Sequence, residues 1–386
     1  MLRRKFGSQG FEVSILGFGM MRLPVVDDDP AKIDEEKTAE MVSYAVEHGV
    51  DYIDTAYSYH REQSEVVVGR LLGGGYRERV KLATKCPTWL VKSHEDFDRY
   101  LDIQLERLQT DHVDVYLMHG LTVERWKTLV KADVFRFFER ARADGRVQHA
   151  GFSFHDSLEV FKAIVDAYPW DLCQIQFNYM DEHFQAGIEG LGYAGGKGLA
   201  VVVMEPLRGG SLTKNVPPEV QAIWDRAPVK RTPAEWGLRW VWNHPQVTVV
   251  LSGMSTMEQL AENIRTAGTA LPNSLTGEEL ALVEEVRAAY RRRTKVDCTH
   301  CGYCTPCPQG ISIPDLFGLY NDASVYGSLG ELARHCDRVK ERLGDPASCA
   351  ECGQCESACP QGLPIPQYLK EMVAALTALA GPTPGA

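Results

Sequence analysis

No stretch of this chain approaches the ~18 consecutive apolar residues that a membrane-crossing helix requires, so no span is expected. Positive charge is in deficit: 41 Lys and Arg against 52 Asp and Glu leave a formal charge of −11. Without a basic stripe to offset phosphate repulsion, nucleic acid is not an expected partner. The first strand-like run is not followed by G-x-G-x-x-G, which argues against a Rossmann dinucleotide unit. Gly195-Gly196-Lys197-Gly198 fails as a phosphate loop, because Leu191 stands where the first Gly belongs and Gly198 where Ser or Thr belongs. Arg3-Arg4-Lys5-Phe6 imitates a twin-arginine export signal, but Glu12, Ser14, Gly17 and Gly19 interrupt the run that follows. A strand–turn–strand is the expected form of this segment, and the cytoplasm the expected location.

The chain is rich in cysteine, with 11 in 386 residues. Eight of them form two runs, C-x2-C-x2-C-x2-C-P (Cys298, Cys301, Cys304, Cys307) and C-x2-C-x2-C-x3-C-P (Cys349, Cys352, Cys355, Cys359). That spacing suits thiolate ligands in a reducing compartment, not a disulfide framework. A cubane iron–sulfur cluster needs four converging thiolates, and in two-cluster ferredoxins each run lends its last Cys to the other cluster. The expectation is two [4Fe–4S] clusters, with zinc as the competing reading. Cys298, Cys301 and Cys304 would hold one cluster with Cys359, and Cys349, Cys352 and Cys355 the other with Cys307. The first run departs from the usual form by closing with two intervening residues instead of three. Cys86, Cys173 and Cys336 are expected to be small buried residues.

In front of these runs, short β-rich segments alternate with longer helical patterns. The strand candidates are 13–19, 50–54, 80–84, 113–119, 149–153, 172–177, 200–204 and 247–251. The helical segments are 35–48, 64–72, 94–108, 132–143, 158–167, 185–197, 233–243 and 257–267. Eight of each in strict alternation predict a closed (β/α)8 TIM barrel over residues 1–270. A helical connector over 271–296 follows, then a small α-helical ferredoxin-like domain over 297–380 and a tail, 381–386.

In such a barrel, chemistry sits where strands end at the C-terminal face. Asp54, Tyr57 or Tyr59, Lys85 and His119 fall at successive strand ends. A Tyr whose pKa is lowered by a neighbouring ammonium can give a proton to a developing alkoxide, a carboxylate can hold the Lys, and a His can orient a carbonyl oxygen. Trp89, His60 and Met20 are candidates to line the same pocket.

At this point the sequence resembles the aldo-keto reductase superfamily. The resemblance rests on Asp54-Thr55-Ala56-Tyr57-Ser58-Tyr59 with Ser64-Glu65 and Gly69, on Thr84-Lys85, and on Leu117-Met118-His119. Further matches are Gly151-Phe152-Ser153, Gln174 with Asn178, Pro206-Leu207, and Gly253-x-Ser255-x3-Gln259-x2-Glu262-Asn263. It implies a tetrad of Asp54, Tyr59, Lys85 and His119, since the family Tyr lies five residues after the Asp. It also implies NADP or NAD bound extended across the strand ends, with Met20 beside it and Ser153 and Gln174 on the carboxamide. Leu207, Arg208 and Gly210 would take the pyrophosphate, and Ser255, Gln259, Glu262 and Asn263 the adenosine end. Phe154-His155 replaces a frequent Asn, and Met204 stands where an aromatic residue often stacks on the nicotinamide. The whole chain is similar to the subgroup with a C-terminal ferredoxin-type domain. The activity so implied is interconversion of a small-molecule carbonyl and an alcohol. Competing readings are electron transfer with a ferredoxin or other redox partner, and nucleotide-dependent redox sensing.

Overall fold

The computed structural model describes residues 1–298, 300, 302–359 and 361–380. Cys301 and the tail 381–386 therefore lie outside the described residues. The chain divides into two compact units, one of Met1–Gly209 with Arg231–Thr276 and one of Gly210–Lys230 with Gly277–Ala386. Most of the segment expected as a connector, from Gly277 on, thus groups with the second unit, as does the excursion 210–230. No described helix is long and apolar enough to cross a membrane.

The first unit begins with a hairpin of β1 (Arg3–Lys5) and β2 (Glu12–Ser14), antiparallel. Eight parallel strands then close into a barrel, each paired with the next and the last with the first. They are β3 (Leu16–Gly19), β4 (Tyr52–Asp54), β5 (Lys81–Cys86), β6 (Val113–Leu121), β7 (Val147–Phe154), β8 (Leu172–Gln176), β9 (Ala200–Met204) and β10 (Val247–Ser252). The run expected as one strand over 13–19 is two. Ser14 turns the chain between them: its Oγ donates to Leu16 O (2.8 Å) and its N–H to Asp51 Oδ1 (2.7 Å).

Successive strand side chains face opposite sides, and the phase of each strand is set by which residues are apolar and small enough for the interior. Tyr52, Ala83, Val115, Leu117, Leu172, Ala200, Val202, Val249 and Leu251 pack together inside, and Phe6 and Val13 of the hairpin join them. The hairpin thus plugs the N-terminal mouth. Two positions further along the same inward phase come Asp54, Lys85, His119, Gln174 and Met204, with Ser153 two residues beyond the inward Gly151. A side chain at Gly151 would collide with Leu172 at 2.5 Å. The core phase therefore aims the polar residues at the open C-terminal mouth.

Helices over Ser64–Leu72, Leu158–Ala167 and Met257–Ala267 run where the sequence places them. Gly69 lets the first of these lie against Glu95–Leu108, since a Cβ there would come 2.4 Å from Arg107 O. Val123–Lys131 and Pro218–Trp224 are helices that the sequence reading did not anticipate. The first buries only Leu129.

The described part of the second unit contains helices and no strands. Ile313–Val325, Leu329–Arg334, Cys336–Leu343 and Ile365–Ala380 enclose a core of Val296, Ile311, Leu316, Phe317, Leu343, Ile365, Leu369 and Met372. Asn321 fastens the incoming chain through Lys295 N, Val296 N and Val296 O. Cys336 departs from expectation. It is half-exposed at the start of its helix, with its Sγ turned to Asp337 Oδ1 (3.8 Å). Cys86 and Cys173 are buried as expected, and burial pushes the Cys86 thiol up to about 12.

Candidate active site and cysteine cavities

Lys85 is fully buried near the end of β5 and gives away all three of its N–H groups. They go to Asp54 Oδ1 (2.6 Å), Thr55 O (2.8 Å) and Tyr59 OH (3.2 Å). Its backbone is held from behind: Gln104 Nε2 donates to Lys85 O (3.0 Å), and Gln104 Oε1 accepts from Tyr116 OH (2.8 Å). Burial favours the neutral amine, but the Asp54 carboxylate and Tyr59 together more than offset it, so the ammonium is held above its ordinary value. Burial likewise raises Asp54, and Lys85 pulls it back only in part.

Tyr59 sits over this ammonium, its ring centroid 4.8 Å from Nζ. The sequence reading supposed that the ammonium lowers the phenol. Burial outweighs it, and the Tyr59 pKa lies above its ordinary value even after the Lys85 contribution. Tyr57 points elsewhere, edge-on to Tyr100 and under Arg107, outside the Lys85 cluster. His119 meets Tyr59 edge-to-face at 6.0 Å and Trp89 at 5.3 Å. Burial drives its imidazole well below the usual 6.5, so it is neutral, and its buried Nδ1 has no partner among the described residues. Trp89 therefore does border the site. His60 does not present a free ring: it accepts Leu23 N–H (3.1 Å) and donates to Pro30 O (2.8 Å), tying down the segment after β3.

In the second unit the cysteines border two hollows. Cys298, Cys304 and Cys359 line one, of about 330 Å³, with Phe317, Leu363 and Ile365. Cys307, Cys349, Cys352 and Cys355 line the other, of about 670 Å³, where Cys304 also reaches the wall. No His, Asp or Glu is among the lining residues of either. The donor set is all sulfur, which suits iron–sulfur or zinc chemistry. The thiols border a space, as a polynuclear cluster requires.

The model of the Aldo/keto reductase family matches residues 15–287. The chain belongs to the aldo-keto reductase family. A 4Fe-4S dicluster domain model matches residues 297–364. Similar proteins include probable aldo-keto reductase 1 of Glycine max, 26% identical over 67% of this chain and 82% of its own. L-galactose dehydrogenase of Arabidopsis thaliana is 25% identical over 73% of this chain and 93% of its own. Among solved structures, the holo form of aldo-keto reductase AKR11C1 from Bacillus halodurans superposes with a TM-score of 0.62 at 27% identity, covering 74% and 96% of the two chains. The protein is accordingly an NAD(P)-dependent oxidoreductase of this family with an iron–sulfur domain.

The positions that the sequence reading gave to a nucleotide differ in how free they are. Gln174 Oε1 is buried without a partner among the described residues, and its Nε2 has only Met204 Sδ at 3.5 Å. An amide so placed lacks its complement. Ser153 Oγ accepts Gly120 N–H (2.7 Å) and keeps its own hydroxyl proton to give. Met20 is itself buried; its main chain accepts from Ser64 Oγ (3.1 Å) and donates to Asp54 O (2.8 Å). Arg208 is bonded to Asp181 (3.1 Å), and Leu207 packs against Gly237. Gly210, at φ +94°, belongs to the second unit. Ser255 donates to Arg22 O (2.7 Å) and Gln259 Oε1 accepts Ser255 N–H (2.9 Å). Glu262 accepts from Thr232, and the buried Asn263 donates to Ser252 Oγ (3.0 Å).

Two residues escaped the sequence reading. Arg22 lies across the turns after β9 and β10: a Cβ on Gly253 would touch it at 3.2 Å, and one on Gly209 at 2.9 Å. Its place two residues after Met20, just past a barrel strand, was the available signal. Arg125, beside Trp89 and Gly120, had none, because its helix was not anticipated.

Proposed function

We propose that this reductase interconverts a small-molecule carbonyl and an alcohol with Tyr59 as the proton donor and acceptor. The observation that carries this is the set of three bonds from Lys85. The phenol oxygen accepts one of them, so its own proton is the one left to offer an incoming oxygen. Held protonated by burial at neutral pH, Tyr59 gives that proton as negative charge gathers on the substrate oxygen. Lys85 then steadies the phenolate, and Asp54 keeps the lysine charged and in place. His119, being neutral, can hydrogen-bond the same oxygen without competing as an acid. A nicotinamide nucleotide, when bound, would supply the hydride for reduction of the carbonyl carbon and accept it in the reverse direction.

Ser153 and Gln174 are the residues we assign to the carboxamide, on the strength of the unpartnered Gln174 oxygen. Leu207 and Arg208 are assigned to the pyrophosphate, and Ser255, Gln259, Glu262 and Asn263 to the adenosine end. Those last groups are satisfied within the protein, so binding must exchange existing hydrogen bonds for new ones. Neither Gly253 nor Gln259 supplies a cation for a 2′-phosphate, but Arg22 lies over Gly253, which supports use of both NADP and NAD with weak preference. Two [4Fe–4S] clusters are assigned to the cysteine hollows. Cys298, Cys301 and Cys304 with Cys359 would hold one, and Cys349, Cys352 and Cys355 with Cys307 the other. The presence of Cys359 in the first hollow and of Cys307 in the second supports that exchange. Clusters pass single electrons, so a ferredoxin or similar carrier is their natural partner class.

The test is Tyr59→Phe. It should lower kcat for carbonyl reduction by about 10²–10⁴ while nucleotide affinity holds, with Tyr57→Phe as the control that changes little. Full activity in Tyr59→Phe would remove the assignment.

A further inference from the structure

We infer that Arg125 reads a carboxylate on the substrate, so that the preferred carbonyl compounds of this enzyme are oxo acids. The inference rests on the reductase reading above and names its substrate class. Arg125 stands on the residue run directly after β6, the strand that ends in His119-Gly120-Leu121. One arm of its guanidinium donates to Gly120 O (2.7 Å) and the group lies over the Trp89 ring at 5.8 Å. Trp89 in turn lies against His119, and its indole is 42% exposed where most tryptophans here are buried. The chain His119, Trp89, Arg125 thus leads outward from the reacting centre along a half-covered aromatic face to a fixed cation.

That cation lacks a counter-ion. Several other partly buried arginines of the barrel unit have one: Arg77 with Asp114, Arg107 with Glu62 and Glu65, Arg142 with Asp171, and Arg146 with Asp98 and Asp144. Arg4 has none, but both arms of its guanidinium are taken up by the carbonyls of Trp242, His244 and Val247. No carboxylate among the described residues pairs with Arg125, although the chain carries an excess of acidic residues. A half-buried guanidinium held at one arm, with its remaining N–H groups open, is a ready partner for a planar anion.

The surroundings choose between anions. His119 and His155, the two nearest imidazoles, are both kept below their ordinary values by burial and bring no positive charge. Glu205 is close enough to act on His155, and its charge is partly met by Arg22 at 3.9 Å. A phosphate dianion would set two charges against the one guanidinium. A carboxylate monoanion matches the single fork. Its apolar linker would lie along Trp89 while the carbonyl oxygen reaches Tyr59 and His119.

The experiment uses the full-length protein with its clusters, under anaerobic conditions, with NADPH or NADH. Steady-state kinetics compare 4-carboxybenzaldehyde, 4-formylbenzamide and 4-formylphenyl phosphate, and an aliphatic pair, succinic semialdehyde and its amide. In the unmodified enzyme the acid should exceed its amide in kcat/KM by tenfold or more, chiefly through KM. Arg125→Gln should bring the acid-to-amide ratio close to one, and Arg125→Lys, which keeps the charge and loses the fork, should retain part of it. A ratio that Arg125→Gln leaves unchanged overturns the inference, as does a preference for the phosphate over the carboxylate. Amides reduced as well as acids by the unmodified enzyme sink the inference alone and leave the reductase reading standing. Should none of the carbonyls turn over, that reading is at fault instead. Equilibrium binding of 4-carboxybenzoate to the nucleotide complex, compared between the unmodified enzyme and Arg125→Gln, then decides the inference: equal affinities overturn it.

Discussion

Lys85 has three N–H groups and three acceptors, and that match decides what its neighbours can do. Because Tyr59 accepts from it, the phenol keeps a free proton; because Asp54 is buried with it, the ammonium stays charged. The sign of the pH dependence follows from the directions of the shifts. Tyr59 is raised above the ordinary 10.0, so it remains a proton donor until pH rises through that higher value. His119 is lowered well below the ordinary 6.5, so it gains its proton only in more acidic solution. With nucleotide saturating, kcat for reduction of a substrate that does not itself titrate should be level from about pH 6.5 to 9. A pH profile with a step near 6.5, lost in His119→Ala, would show that His119 titrates in the working range and that its described environment is wrong. Asp54, Lys85 and His119 were legible because each is a rare polar residue at the end of an apolar strand, whereas Tyr59 lies in the turn after β4 and was chosen over Tyr57 by the resemblance to the family. The net direction of the Tyr59 shift was not legible, since it depends on how deeply the ring is buried.

At the scale of elements, the strands act as rulers. On five strands an inward core residue sits two positions before a residue of the mouth, so a pleat that packs Tyr52, Ala83, Leu117, Leu172 and Val202 inside also aims Asp54, Lys85, His119, Gln174 and Met204 at the mouth. Loops then add what strands cannot. Arg22, from the segment after β3, covers Gly253 after β10, strands that are adjacent only because the barrel closes. Reading along the chain, a cation is missing from the 253–263 segment; in the fold, one arrives from 231 residues away. Dissociation constants of NADP and NAD measured by fluorescence titration should therefore lie within about a hundredfold, or ~2.7 kcal/mol. Arg22→Ala should weaken NADP more than NAD. A larger native discrimination, or equal losses in the variant, would show that Arg22 does not meet the 2′-phosphate.

For the molecule as a whole, the cysteine arrangement is the feature that couples distant parts of the sequence. Cys359 stands with Cys298 and Cys304, some 55 to 61 residues earlier, and Cys307 with Cys349, Cys352 and Cys355. A substitution at Cys359 should then impair the cluster of the first run. Cys359→Ser, purified anaerobically, should reproduce the iron loss and the paramagnetic spectrum of Cys298→Ser, with iron falling from about eight to about four per chain. If it reproduces Cys352→Ser instead, each run holds its own cluster. The spacing alone raised this exchange as an expectation; the helices Ile313–Val325 and Ile365–Ala380, whose side chains help to line the hollows, show how the second run can fold back on the first.

The alternation of apolar strands and amphipathic helices, the polar residues at strand ends and the two cysteine runs are local patterns, each contained in a few consecutive residues. They pointed to the barrel, to Asp54, Lys85 and His119 and to the cluster module, because period, spacing and residue type suffice to state them; the choice of Tyr59 over Tyr57 rested on the resemblance to the family. The split of 13–19 turned on one hydrogen-bonding Ser14, and the helix Val123–Lys131 is short and buries a single residue. The assignment of 210–230 to the second unit depends on packing between segments far apart in the chain. The neutrality of His119, the raised phenol of Tyr59 and the unpaired state of Arg125 depend on burial and on which charges come near. Those quantities do not exist until the chain has closed on itself, and only the tertiary structure decided them.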